Sequence, residues 1–279
     1  MKIIRSIEKM QSLSLQLRIQ NKTVGLVPTM GYLHSGHTSL MRIADMYADK
    51  TVVSIFVNPT QFGPGEDLKT YPRDFERDAD ICEKENVDIL FYPRTDEIYA
   101  PDYSVYVHEE VLSPMLCGKS RPDHFRGVCT IVAKLFNIVQ PTFSVFGQKD
   151  FQQLRILQRM TRDLNFPVEI VSAPIVREID GLAISSRNKY LNEEERKQAL
   201  CLREALNTAE QLYMRAEKDA NIVKKAMGQV IAQYPLAKVD YIEIMNTDTL
   251  QPVKHIKSSC LVALAVFVGK TRLIDNTIL

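Results

Sequence analysis

His34 and His37 stand three residues apart in the stretch P-T-M-G-Y-L-H-S-G-H, which runs from Pro28 to His37. A pair of imidazoles at this spacing can aim two hydrogen-bond donors at one anion. Gly31 and Gly36 punctuate the same stretch, between a β-branched run at residues 23–27 and an amphipathic segment at residues 38–49 whose apolar positions are Leu40, Ile43, Ala44 and Tyr47. That pattern predicts a buried strand, a glycine turn and a helix start. A helix start presents unpaired backbone N–H groups and a partial positive charge, so the turn is a natural cradle for phosphate. Zinc is the weaker reading: a catalytic zinc takes three protein ligands, and no Glu, Asp or Cys stands at ligand spacing beside the pair.

Two further clusters have the right chemistry. Gly147, Gln148, Lys149 and Asp150 repeat the arrangement of strand, glycine and helix start, now with a lysine in the turn as a phosphate contact. Ser185, Ser186 and Arg187 place two hydroxyls and a guanidinium in a polar loop able to clamp phosphate, although the same letters also occur in inert surface loops. A third feature is the segment at residues 58–72, N-P-T-Q-F-G-P-G-E-D-L-K-T-Y-P. Irregular stretches of this length are uncommon in compact domains and often functional, and this one leaves the carboxyl end of a predicted strand.

The elements that must position these residues alternate. Strands are predicted at residues 23–27, 51–57, 87–92, 143–146 and 168–171, and helices at 38–49, 74–86, 128–139 and 150–164; residues 1–20 read as a surface helix and residues 93–127 as turns. Strand and helix in alternation predict an α/β fold with a doubly wound parallel sheet. The grammar then changes. Asn192 and three glutamates cap one long helix reaching towards Lys218, a helix follows at 220–234, and strands at 239–245, 261–268 and 271–274 suggest a small antiparallel sheet. The expected domains are residues 1–176 and a smaller α+β domain at residues 177–279.

Composition narrows the class. The chain has 279 residues, 45% of them hydrophobic, and a formal net charge of +1, so nothing points to nucleic acid or an acidic membrane surface. The longest apolar run, residues 260–268, is too short to span a bilayer and reads as a buried strand. The N-terminal residues are too interrupted by charge for a signal peptide. Five cysteines, an odd number without a C-x-x-C pair, suit a reduced cytoplasmic protein.

Six blocks in order closely resemble the pantoate–β-alanine ligase family, the AMP-forming pantothenate synthetases. They are P-T-M-G-Y-L-H-S-G-H, F-V-N-P-T-Q-F-G-P-G-E-D, Y-P-R, H-F-R-G-V, F-G-Q-K-D-F-Q-Q-L and V-R-E-I-D-G-L-A-I-S-S-R-N. The H-x-G-H element alone is shared with nucleotidyltransferases and class I tRNA synthetases; the set is specific. The resemblance implies a Rossmann-like fold of the HxGH nucleotidyltransferase type with a C-terminal lid, in a cytoplasmic homodimer that uses ATP and Mg2+ to join (R)-pantoate to β-alanine. It implies an ATP site of Met30, Gly31, Tyr32, Leu33, His34, Ser35, Gly36, His37, Gly147, Gln148, Lys149, Asp150, Val176, Ile184, Ser185, Ser186 and Arg187. His37, His34 and Lys149 are the implied catalytic residues, and Gln61 and Gln153 the implied pantoate contacts. Ser35 and Gln148 depart from acidic residues common in the family. The magnesium ligands stay open, with Asp78 and Asp150 as candidates. A cytidylyltransferase or a non-catalytic nucleotide-binding module would share the glycine turns, and a tRNA synthetase is disfavoured because no basic anticodon-binding region is present.

Overall fold

The computed structural model describes residues 1–257 and 259–279. The chain divides into two units: Met1–Pro114, Gly118–Gln148 and Gln153–Pro174 form the first, and Met115–Cys117, Lys149–Gln152 and Ile175–Leu279 the second.

In the first unit the chain runs through β1 (Lys2–Ile4), α1 (Ile7–Ile19), β2 (Val24–Thr29), α2 (Ser35–Tyr47), β3 (Lys50–Ile55), α3 (Phe75–Lys84), β4 (Ile89–Phe91) and α4 (Thr95–Ile98). It continues through α5 (Cys117–Ser120), α6 (His124–Val139), β5 (Phe143–Gly147), α7 (Phe151–Asp163) and β6 (Glu169–Ala173), with Cys117 of α5 and Phe151 and Gln152 of α7 counted in the second unit. All strand pairs are parallel, in the order β1-β4-β3-β2-β5-β6. Runs such as T-V-V-S-I suit this sheet because its inner strands are buried on both faces. The order reverses between β2 and β5, and in open α/β sheets the crevice beyond the strand carboxyl ends at such a reversal is where ligands bind. Both glycine turns singled out above leave that edge. Gly25, opposite Phe143 in the β2–β5 pair, allows the close packing there: a Cβ would stand 2.8 Å from the Phe143 ring.

Several boundaries differ from expectation. The surface helix expected over residues 1–20 is preceded by β1, which pairs with β4 and has only Ile4 buried; three residues carry no periodic signal, and pairing 87 residues away decides them. Helix α2 starts at Ser35 rather than residue 38, because His34 caps it. Helix α6 starts at His124 rather than residue 128, so Gly127 lies inside it. A Cβ at Gly127 would run into the Thr60 carbonyl oxygen, and that glycine therefore marks a close backbone approach rather than a helix boundary. The turn region at residues 93–127 contains α4 and α5, and the irregular segment at 58–72 contains a 3-10 turn at Pro59–Gln61.

The second unit contains α8 (Glu193–Gln198), α9 (Cys201–Met214), α10 (Ala220–Ile231), β7 (Ala237–Asn246), β8 (Cys260–Val268) and β9 (Thr271–Ile278). The single long helix expected after Asn192 is two helices. The wholly polar α8 ends where the apolar face Cys201, Leu202, Ala205, Leu206 and Ala209 begins, and a tightened turn joins them, with Leu202 N–H donating to Ala199 O at 3.3 Å. The strands pair antiparallel in the order β7-β8-β9, and the nearly fully buried β8 forms the centre of a core shared with α9 and α10. All five cysteines are buried free thiols, and burial pushes Cys82, Cys129 and Cys201 up to about 12. No helix among the described residues is long and apolar enough to cross a membrane.

Candidate functional site

The turn between β2 and α2 is bound into the first unit by its own backbone. Thr29 Oγ1 accepts the Gly31 N–H at 3.1 Å and donates to Ser54 O. Gly31 (φ +81°) and Tyr32 (φ +50°) are both left-handed, a conformation that glycine adopts freely and tyrosine does not. Asp78, on α3, holds them there: its buried carboxylate accepts the N–H groups of Tyr32 at 2.6 Å and Leu33 at 2.8 Å. Burial raises the Asp78 pKa more than the Leu33 and Tyr32 bonds and the Arg77 charge lower it. Two of the turn's N–H groups thus face a protein carboxylate. The sequence alone does not show this engagement of the turn's backbone from α3.

At that start His34 occupies the cap position and His37 the first helical turn, with their rings stacked 4.0 Å apart at 28°. The His34 backbone N–H donates to His37 Nδ1 at 3.3 Å, which assigns the proton of a neutral His37 ring to Nε2. Gly36 makes the ring arrangement possible, since a Cβ there would stand 2.9 Å from His34 Cε1. Ser35, the departure within the motif, is exposed.

The segment after β3 folds against this turn. Gln61 is 8% exposed; its Nε2 donates to Met30 Sδ at 2.8 Å and its Oε1 accepts from Asn58 Nδ2 at 3.0 Å. Asn58 also donates to Gly127 O and accepts from Tyr99 and Thr60 hydroxyls, so the amide of Gln61 is fixed through a chain of fixed groups. The Gln61 carbonyl lies 3.2 Å from Arg121 and 2.9 Å from His124 Nδ1, and Arg121 makes a bidentate pair with Glu66 at 2.6 and 2.7 Å. Burial alone would raise the Glu66 pKa, but the Arg121 bonds and charge, the Gly63 N–H and His124 bring it below its usual value. Sequence reasoning named Met30 and Gln61, which the fold brings together, but assigned no role to Asn58, Glu66, Tyr99, Arg121 or His124. The blocks F-V-N-P-T-Q-F-G-P-G-E-D and H-F-R-G-V held three of these five, Asn58, Glu66 and His124, and only their contacts reveal what they do.

Gly147 ends β5 with open space around its Cα, as a Cβ there would meet nothing within 4 Å. Gln148 is half-buried and follows it. On α7 the neighbouring glutamines differ. Gln152 is buried, its side chain accepting from Cys117 N–H and donating to Met115 O within the second unit, while the half-buried side chain of Gln153, in the first unit, makes no hydrogen bond to a described residue.

The remaining candidates lie in the second unit. Residues 176–184 form a hairpin around Gly181 (φ +95°), where Ile184 N–H donates to Val176 O at 3.0 Å. Ser185 Oγ accepts the Arg187 N–H and starts the turn Ser186–Tyr190. From β9, Asp275 forms a buried pair with Arg177 at 2.6 Å, and the next residue, Asn276, donates to Lys149 O at 2.9 Å. One strand thereby anchors Lys149 and the base of the hairpin. The Lys149 ammonium itself makes no hydrogen bond or ion pair with a described residue, and Asp150 is exposed. No group of three or more His, Cys, Asp or Glu side chains suited to a metal ion occurs among the described residues.

The family profile described as Pantoate-beta-alanine ligase matches residues 2–278. A pantothenate synthetase of Thermotoga petrophila is 58% identical over 279 residues, all of both chains, and one of Caldicellulosiruptor bescii is 51% identical over 278 residues, 100% of this chain and 99% of that one. Among solved structures, pantothenate synthetase from Thermus thermophilus has a TM-score of 0.94 at 40% identity, covering 99% of each chain. Pantoate-beta-alanine ligase from Francisella tularensis, complexed with beta-gamma ATP and beta-alanine, has a TM-score of 0.82 at 33% identity, covering 100% of this chain and 97% of that one.

Proposed function

The chain belongs to the pantoate–β-alanine ligase family, and on that premise we propose how its residues share the reaction. The enzyme condenses (R)-pantoate with β-alanine, using ATP, to give pantothenate, AMP and diphosphate by way of a pantoyl adenylate. In the first half-reaction a pantoate carboxylate oxygen attacks the α-phosphorus, the bond to the bridging oxygen breaks, and diphosphate leaves with the electron pair. In the second, the β-alanine nitrogen attacks the acyl carbon, loses a proton, and AMP departs.

Negative charge grows on the leaving diphosphate, where pre-aimed donors lower the barrier most. The start of α2, His34, the Nε2–H of His37 and the otherwise unengaged ammonium of Lys149 are such donors, with Ser185, Ser186 and Arg187 as further phosphate contacts. Met30, Gly31, Tyr32, Leu33, Ser35, Gly36, Gly147, Gln148, Asp150, Val176 and Ile184 complete the nucleotide contacts in this reading. Pantoate offers two hydroxyls and a carboxylate, and the neutral amides of Gln61 and Gln153 suit its hydroxyls better than further charge would. The observation that supports the reading best is the contact of Gln61 Nε2 with Met30 Sδ, which joins the amide proposed for pantoate to the turn proposed for the nucleotide.

Magnesium fits this chain as part of the nucleotide substrate. The Asp78 oxygens already bond backbone N–H groups, which leaves Asp150 as the exposed carboxylate candidate, and Mg2+ commonly binds through one or two carboxylates plus substrate phosphates. When bound it neutralises phosphate charge. The proposed organisation is a domain at residues 1–176 that binds ATP and pantoate, and residues 177–279 as a lid that keeps the adenylate from water. A cytoplasmic homodimer is proposed with it; the five buried free thiols suit a reducing compartment.

The test is ATP–diphosphate exchange that requires pantoate but not β-alanine, with AMP appearing once β-alanine is added and no activity with CTP. Pure enzyme with pantoate, ATP and magnesium that supports no exchange defeats the adenylation reading.

A further inference from the structure

We propose that Asp78, with Arg77 beside it, is the positioning residue of the nucleotide turn, and that it sets the orientation of His37 through one peptide plane. This rests on the assignment of that turn to ATP. Three observations carry it. The Asp78 carboxylate, 1% exposed, meets the Tyr32 and Leu33 N–H groups at 2.6 and 2.8 Å, from 46 and 45 residues away. Arg77, whose Nη1 lies 3.4 Å from Asp78 Oδ1, engages the same residues, donating to Leu33 O at 2.8 Å and lying 4.9 Å over the Tyr32 ring. Tyr32, at φ +50°, has a conformation that a tyrosine keeps only where its surroundings over-determine it.

The consequence follows from peptide geometry. In a trans peptide the carbonyl and the next N–H point in opposite directions. With Leu33 O held towards the Arg77 guanidinium, the His34 N–H must point away from that group, and there it meets His37 Nδ1 at 3.3 Å. That bond makes Nδ1 an acceptor, so the neutral ring carries its proton on Nε2 and donates from that side. Asp78 and Arg77 touch neither substrate nor the reacting atoms in this account. They fix the backbone that fixes the ring. Both Asp78 oxygens accept backbone donors and Oδ1 also faces Arg77 at 3.4 Å, surroundings that suit a brace for the turn better than a magnesium ligand.

Asp78→Asn is the decisive variant. It keeps the shape but turns an amide NH2 towards one of the two backbone donors. Because burial disfavours the charged form of Asp78, removing the charge need not weaken the fold. Amide hydrogen exchange at Tyr32 and Leu33 is expected to quicken about ten- to a hundredfold, the effect of losing one charge-assisted hydrogen bond. Pantoate-dependent ATP–diphosphate exchange should slow over the same range with a raised KM for ATP, while KM for pantoate stays within about twofold, since Gln61 is held by Asn58, Arg121 and His124 instead. The amide measurement needs no turnover, so a wild-type enzyme without exchange activity would sink the functional reading and leave this one standing or falling on its own. Unchanged amide protection and unchanged adenylation in Asp78→Asn overturn the proposal, as does a defect erased by excess magnesium. If Asp78→Asn fails to fold, Arg77→Gln removes the bond to Leu33 O from a partly exposed side chain. It should show the same split between ATP and pantoate, and equal effects on both would overturn the proposal.

Discussion

Replacing Gly36 by alanine should make the protein no less stable and much less active. Gly36 lies in the first turn of α2 without a positive φ, so alanine suits the backbone and removes the conformational freedom that glycine keeps in the unfolded chain. Glycine in a helix costs about 0.8–1 kcal/mol relative to alanine, which bounds the gain. The new Cβ, however, would stand 2.9 Å from His34 Cε1 and 3.0 Å from Nδ1, closer than carbon contacts of about 3.5–4.0 Å allow. The His34 ring must withdraw by roughly half an ångström or more, and it is stacked on His37 at a centroid distance of 4.0 Å. A misplacement of about 1 Å at a reacting centre costs on the order of a hundredfold in rate, so a ten- to hundredfold loss of adenylation is expected from the partial shift. Urea unfolding should show stability between unchanged and about 1 kcal/mol higher. Exchange of labelled diphosphate into ATP, with pantoate and without β-alanine, should show the loss. A Gly36→Ala enzyme with exchange within twofold of wild type would refute the claim that the paired rings require this glycine.

Gly147→Ala meets nothing within 4 Å in the protein, so its unfolding should be unchanged, while KM for ATP rises if the nucleotide needs that space; an unaltered KM removes Gly147 from the site. Gln61→Glu keeps an acceptor for Asn58 but sets a carboxylate near that of pantoate, which at about 5–6 Å and an effective dielectric near 20 costs about 3 kcal/mol. Pantoate binding by calorimetry should weaken roughly a hundredfold with ATP binding little changed, and equal loss of both ligands would mean a disrupted loop instead. Lys149→Ala should slow adenylate formation about a hundred- to a thousandfold and its consumption by β-alanine much less, because the charge on AMP is already present in the intermediate. Rapid-quench sampling of each half-reaction checks this, and equal slowing of both steps contradicts the assignment of Lys149 to the departing diphosphate.

What could be read in the residue order is what depends on near neighbours. The apolar runs that became β2, β3 and β5, the capping of α8 by Asn192 and the alternation of V-D-Y-I-E-I-M in β7 are local properties, because strand and helix periods and end caps involve groups a few residues apart. The glycine turn with His34 and His37 was legible for the same reason. Its electrostatics were not. The sequence alone leaves every N–H of that turn available to phosphate, and only the packing of α3 against it shows that Asp78 takes two of them from 45 and 46 residues away. Likewise β1 exists through pairing with β4, Gly127 has its meaning from the Thr60 carbonyl, and Arg121 and His124 converge on the Gln61 carbonyl from 60 and 63 residues along the chain. A buried polar group is stable only when another satisfies it, and which one does so is fixed by packing rather than by position in the chain. Residue types announce the chemistry a turn is able to do; tertiary contacts decide which of its groups are free to do it.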